Sequence, residues 1–136
     1  MTLRSTTKAL SILVADDVEE ICQLLRQWLA EAGHEVKYAL TGNAARQMLA
    51  TQHFDVVVAD VLMPDGDGLE LIQVCKQADA SARIIAISGG GKYMCGDLCL
   101  RMANGLGAHA MIAKPFKREQ FLAEIGSVVG EANRAP

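Results

Sequence analysis

Asp55-Val56-Val57-Val58-Ala59-Asp60-Val61-Leu62-Met63-Pro64 is the stretch that decides the fold. From Asp55 to Val61 it is β-branched and almost continuously apolar, which is the pattern of a short strand buried on both faces rather than of an amphipathic helix. Strands of that kind belong to parallel sheets with helices packed on either side. An aspartate, Asp60, stands near the C-terminal end of the run, so this strand carries an acid to one edge of the sheet.

Upstream, Leu10 to Ala15 is a second buried run, and it stops at Asp16 and Asp17. From Val18 onward Ile21, Leu24, Leu25, Trp28 and Leu29 recur at helical spacing, with Gly33 as the stop. His34 to Leu40 alternates as a strand, and Gly42 to Thr51 reads as a shorter helix. Downstream, Pro64 to Gly68 forms a turn in which Asp67 is a plausible N-cap for a helix from Leu69 to Ala78. Arg83 to Ser88 is another buried strand, broken by Gly89-Gly90-Gly91. A looser helix from Met94 to Leu106 ends at Gly107, His109 to Lys114 is the fifth strand, and Pro115 opens the last helix, with Phe121, Leu122, Ile125, Val128 and Val129 as its apolar stripe. Five strands alternating with five helices imply a parallel sheet with right-handed crossovers, an α/β doubly wound fold.

The size agrees with one such domain. The chain has 136 residues, 51% of them hydrophobic, enough for one core and too few for a second domain of ordinary size. The expected division is a tail at 1–8, a domain at 9–130 and a tail at 131–136, with no output domain after it. A net charge of −3 without a basic stretch argues against direct nucleic-acid or anionic-lipid binding. The apolar runs fall far short of the roughly 20 residues that span a bilayer, and the first residues lack a signal-peptide core, so the expected location is cytoplasmic. Cys22, Cys75, Cys95 and Cys99 form no Cys-x-x-Cys and read as reduced, mostly packed thiols.

Ligands in open parallel sheets bind beyond the C-terminal strand ends, where the strand order switches. The sequence puts Asp16 and Asp17 there after the first strand, Asp60 after the third, Ser88 after the fourth and Lys114 after the fifth. Singly, each has an ordinary explanation: an N-cap, a turn residue, a solvated lysine. Together they need a cation, because carboxylates converging on one patch repel one another. Oxygen-only ligands suit Mg²⁺, and an ammonium and a hydroxyl beside it suit a phosphoryl group. The set reads as a phosphoryl-transfer site with a carboxylate nucleophile.

Leu13-Val14-Ala15-Asp16-Asp17, the stretch from Asp55 to Pro64, Asp67-Gly68-Leu69-Glu70-Leu71-Ile72 and Lys114-Pro115-Phe116 resemble the receiver domain of two-component response regulators, in its chemotaxis-regulator-like form. The resemblance implies a flavodoxin-like (βα)5 fold with a five-stranded sheet in the order 2-1-3-4-5. It also implies phosphorylation of Asp60 by a histidine kinase or phosphotransfer protein, with Mg²⁺ held by Asp17, Asp60 and the backbone carbonyl of Leu62 while Asp16 acts through water. Lys114 would pair with the phosphoryl group, Ser88 would be the switch hydroxyl, and the Lys114-Pro115 bond would be cis.

Two departures stand out. Met111 occupies the position where the family usually has a switch aromatic, and the segment after Ser88 is glycine-rich and longer than usual. On this reading phosphorylation orders the segment from Ser88 to Leu106, and signalling proceeds by protein contact or phosphorelay to an unknown downstream protein, without an enzymatic activity beyond self-phosphorylation and autodephosphorylation. The competing reading is a binding module on the same fold that ignores phosphorylation, which Met111 favours and the complete acidic set opposes. A phosphatase of the haloacid dehalogenase type would need Asp-x-Asp after the first strand, where this chain has Asp16-Asp17-Val18.

Overall fold

The computed structural model describes residues 9–61, 63, 68–79, 81–88, 105 and 107–134. Strands β1 (Ser11–Ala15), β2 (Glu35–Ala39), β3 (Val56–Asp60), β4 (Arg83–Ser88) and β5 (Ala110–Ala113) form one sheet in the order β2-β1-β3-β4-β5. Every pairing is parallel. Helices α1 (Glu19–Glu31), α2 (Gly42–Thr51), α3 (Gly68–Ala78) and α4 (Arg118–Arg134) are the four among the described residues. The helix expected from Met94 to Leu106, apart from Gly105, lies outside the described residues, as do the Gly89-Gly90-Gly91 segment, Cys95, Cys99, Leu62 and the Asp67 cap. The last helix continues to Arg134, past Gly130, where the sequence reading ends it.

Alternation along the buried strands sorts the core into two layers. Ile12, Val14, Val56, Val58, Ile85, Ile87 and Ile112 pack toward α1 and α4, with Cys22, Leu25, Leu29, Phe121 and Ile125. Leu13, Ala15, Val57, Ala59, Ile84 and Ala86 pack on the opposite layer, with Ala45, Leu71, Ile72 and Cys75. This is why the central strands read as unbroken apolar runs: successive residues point to opposite faces, and both faces are covered. On the α1 side, Phe116 stacks on Phe121 at a centroid distance of 5.6 Å and meets Trp28 edge-on at 6.3 Å.

Local chemistry sets the helix ends, at Gly33 as expected and at Thr41, which the sequence reading did not single out. Thr41 caps α2 by accepting from the Ala44 N–H at 3.0 Å. Gly33 ends α1 with a φ of 98°, while the His34 N–H returns to the Leu29 carbonyl at 3.0 Å. Among the described residues, no helix is long and apolar enough to cross a membrane.

At the N-terminal edge of the sheet, away from the strand ends that carry the acids, His53 sits between two carboxylates. Its Nδ1 is 2.7 Å from Asp79 Oδ2, and its Nε2 is 3.2 Å from Asp55 Oδ1. Carboxylates only accept, so both ring nitrogens donate and the ring is cationic. Asp55 also accepts from the Ser11 N–H, and Asp79 from the Ser81 N–H and hydroxyl. The hydrogen bonds that His53 donates to Asp55 and then to Asp79 raise its pKa above its ordinary 6.5. A raised folded-state pKa means that this stabilisation is complete below the unfolded value and is lost as pH rises through the folded one. His53→Gln should therefore lose stability near pH 6 and differ little from wild type near pH 9, as urea titration at the two pH values would show. An equal loss at both would mean that the charge plays no part.

Candidate functional site

Register and alternation bring the acids together. Ala15 pairs with Ala59, so Asp16 and Asp60 follow side by side on adjacent strands. Counting back by twos, Asp16 and Asp60 share the side of Val14 and Val58, and Lys114 shares the side of Ile112, all within the layer that faces α1 and α4. Their side chains meet at the end of the sheet. Lys114 Nζ stands 2.8 Å from Asp16 Oδ2 and 3.2 Å from Asp60 Oδ2. Both aspartates are buried, at 1% and 4% exposure.

Asp16 divides its two oxygens between fold and site. Oδ1 accepts from the Val18 N–H at 2.9 Å, fixing the turn into α1, whose cap residue Val18 has no side-chain acceptor of its own. Oδ2 faces Lys114 as a charge contact without hydrogen-bond alignment. Beneath it, the buried Cys22 thiol donates to the Asp16 carbonyl at 3.3 Å. Burial, reinforced by the Asp16 charge, pushes that thiol up to about 12, so it stays protonated and serves as a donor rather than a nucleophile. Nothing in the sequence pattern singled out Cys22 for this role beyond its place on the apolar face of α1.

Asp17 is exposed, and its carboxylate lies with those of Asp16 and Asp60, with one oxygen from each within 4.8 Å of the others. Among the described residues, three carboxylates meet one ammonium in a cluster whose members Asp16 and Asp60 are buried and whose member Asp17 is exposed. A divalent cation bound by oxygen fits this donor set. For Lys114, burial acts to lower the pKa, but the close contact and charge of Asp16, with the charge and hydrogen bond of Asp60, outweigh it and leave the pKa raised. Lys114 is thus a fixed cation held over both buried acids.

Ser88 closes β4 and is buried at 2% exposure, and its carbonyl accepts from the Lys114 N–H at 2.8 Å. The Lys114-Pro115 bond is cis. Met111 pairs with Ala86 across β4 and β5 and is 38% exposed, an apolar side chain open to solvent at the position of the missing aromatic. Of the residues expected at the site, Asp16, Asp17, Asp60 and Lys114 are in contact or in one cluster, Ser88 stands on the same edge, and Leu62 lies outside the described residues.

The family model described as "Response regulator receiver domain" matches residues 12–126, nearly the whole chain. The chain belongs to the response regulator receiver domain family. Receivers of two-component systems typically carry a phosphoaspartate and depend on Mg²⁺, and the acidic cluster found here has the composition such a site needs. Among solved structures, the receiver is similar to a CheY-like receiver domain protein from Methanospirillum hungatei, with a TM-score of 0.84 at 24% identity over 93% of this chain and 98% of that one, a likeness that concerns the fold. It is also similar to NtrX from Brucella abortus, with a TM-score of 0.85 at 26% identity, covering 93% of this chain and 28% of that one. Among curated proteins, the DNA-binding transcriptional regulator NtrC of Azospirillum brasilense is 38% identical over 126 residues, 91% of this chain and 24% of that protein. NtrC of Rhizobium meliloti is 33% identical over 128 residues, 93% of this chain and 25% of that protein. The receiver therefore spans about a quarter of the length of the NtrC relatives that it matches.

Proposed function

We propose that this receiver is a phosphorylation switch in which Asp60 accepts a phosphoryl group from a sensor histidine kinase or phosphotransfer protein. One observation carries the reading: Lys114 lies across Asp16 and Asp60, with the Asp17 carboxylate in the same cluster. A carboxylate oxygen of Asp60 attacks phosphorus, the bond to the donor's leaving group breaks, and the phosphoryl group remains on Asp60 as an acyl phosphate. Asp16, Asp17 and Asp60, with the Leu62 carbonyl, would hold Mg²⁺, which when bound neutralises charge on the phosphoryl oxygens. Lys114 supplies a point charge to the same oxygens, and Ser88 a hydroxyl donor.

The signal leaves by protein contact or by onward phosphotransfer, in the cytoplasm, to a downstream protein whose identity the site does not encode, and without direct nucleic-acid binding by this domain. Water attack on the acyl phosphate resets the switch. Met111 in place of the usual aromatic favours a second reading, in which the region of the helix expected between β4 and β5 docks a partner whether or not Asp60 is modified. The two readings separate in one experiment. Hydrogen exchange is compared for the protein alone, with Mg²⁺, and with Mg²⁺ plus beryllofluoride as a phosphoryl mimic. A switch gains protection around Ser88 and the segment after it only in the third sample. Identical exchange in all three supports the constitutive module and removes the switch.

A further inference from the structure

Gly68 opens α3 where the chain turns back over the end of β3. Its N–H donates to the Val61 carbonyl at 3.2 Å. A Cβ at this position would lie 1.7 Å from the Asp60 carbonyl oxygen, 2.6 Å from the Asp60 carbonyl carbon and 2.8 Å from the Val61 Cα. All three atoms are backbone, so no side-chain rotation relieves the overlap. Backbone conformation is not the reason for glycine here: among the described residues the glycines with positive φ are Gly33 and Gly107. What the position requires is space. The peptide that Gly68 covers is also held from β4, because the Val61 N–H donates to the Ile87 carbonyl at 2.9 Å. The Asp60–Val61 peptide is thus gripped between β4 and the first residue of α3, and this peptide carries the Asp60 carboxylate.

We infer that Gly68 is a positioning residue for phosphoryl acceptance, its bare Cα letting α3 seat against the Asp60–Val61 peptide and so fixing the Asp60 carboxylate against Lys114 and the neighbouring acids. The inference rests on Asp60 being the phosphoacceptor. Real Cβ atoms essentially never come within 3.0 Å of such neighbours, so an alanine must displace the peptide or the helix by about 1.3 Å, the difference between 3.0 Å and 1.7 Å. A misplacement near 1 Å in a reacting group costs on the order of 10²-fold in rate.

The test compares wild type, Gly126→Ala, and Gly68→Ala in the Gly126→Ala background. Gly126 lies in α4, a Cβ there meets nothing within 4 Å, and alanine in a helix offsets part of any general loss of stability. Labelling by acetyl phosphate is followed at saturating Mg²⁺ and saturating phosphodonor, at a temperature where circular dichroism shows every sample folded. Relative to Gly126→Ala, the expected result is a fall of about 10²-fold in maximal labelling rate for the double variant, with amide NMR shifts changed at Asp60 and Val61 and unchanged along α4. Gly126→Ala alone should match wild type. Labelling of the folded double variant within a few-fold of wild type overturns the inference. So does failure of the double variant to fold, which would make Gly68 a requirement of the whole fold. Absence of labelling in wild type itself refutes the assignment of Asp60, a separate outcome from either.

Discussion

Lys114→Met should lower stability by roughly 2–3 kcal/mol near neutral pH, and Mg²⁺ should restore much of the loss. Methionine keeps the apolar stem of the side chain and removes only the charge. Asp16 and Asp60 would then face each other, buried, without the ammonium that now stands 2.8 Å and 3.2 Å from them. Removing one partner from a fully buried pair costs about 3–5 kcal/mol, and the figure here is smaller because the Lys114 side chain is 17% exposed and water reaches it. A cation bound to the same carboxylates takes over the neutralising role, so the variant should gain more stability from Mg²⁺ than wild type does. Urea unfolding with and without Mg²⁺ measures both effects. Wild-type stability in the metal-free variant, or an equal Mg²⁺ increment in both proteins, would show that Lys114 does not hold the acid cluster together.

Asp17→Asn should weaken Mg²⁺ binding by about tenfold or more while leaving stability nearly unchanged. Asp17 is the exposed member of the cluster, whereas Asp16 is buried and its Oδ1 holds the turn into α1. Losing one anionic oxygen ligand from a hard-cation site removes a full charge of attraction, and each tenfold in affinity corresponds to about 1.4 kcal/mol. Asp16→Asn should cost less in Mg²⁺ affinity and more in stability, because Asp16 is bound to Lys114 and to the backbone. Isothermal calorimetry and urea unfolding of the two variants separate the roles. The opposite order of affinities would exchange Asp16 and Asp17 as the principal metal ligand.

The strands were legible because both their faces are buried: Val56 to Ala59 and Ile84 to Ile87 are apolar at every position, and no helix of such short length reads that way. Their ends were legible because a charged or polar residue, Asp16, Asp60, Ser88 or Lys114, interrupts each run within a residue or so of the observed boundary. The site followed from topology, since parallel strands place all their C-terminal ends on one edge. What the pattern did not reveal depends on distances between segments remote in sequence. Cys22 beneath Asp16 looks like any small residue on an apolar helix face. Gly68 looks like one more turn glycine until the approach of α3 to the Asp60 carbonyl is known. His53 is unremarkable in sequence because its partner Asp79 lies 26 residues away. The last helix begins at Arg118 rather than at Pro115, a difference of three residues that the local pattern does not mark.

Asp60 is the proposed phosphoacceptor of this receiver, and mapping the modified residue puts that assignment to the test. Wild type and Asp60→Asn are incubated with acetyl phosphate and Mg²⁺; one portion is weighed directly by intact-mass spectrometry, and a second is treated with borohydride, which releases phosphate and reduces the acylated aspartate to homoserine, before peptide mass spectrometry. The expected result is one phosphoryl group per wild-type chain before reduction, dependent on Mg²⁺, homoserine at position 60 after it, and no labelling of the variant. Equal labelling of Asp60→Asn, or a trapped residue at Asp16 or Asp17, would contradict it.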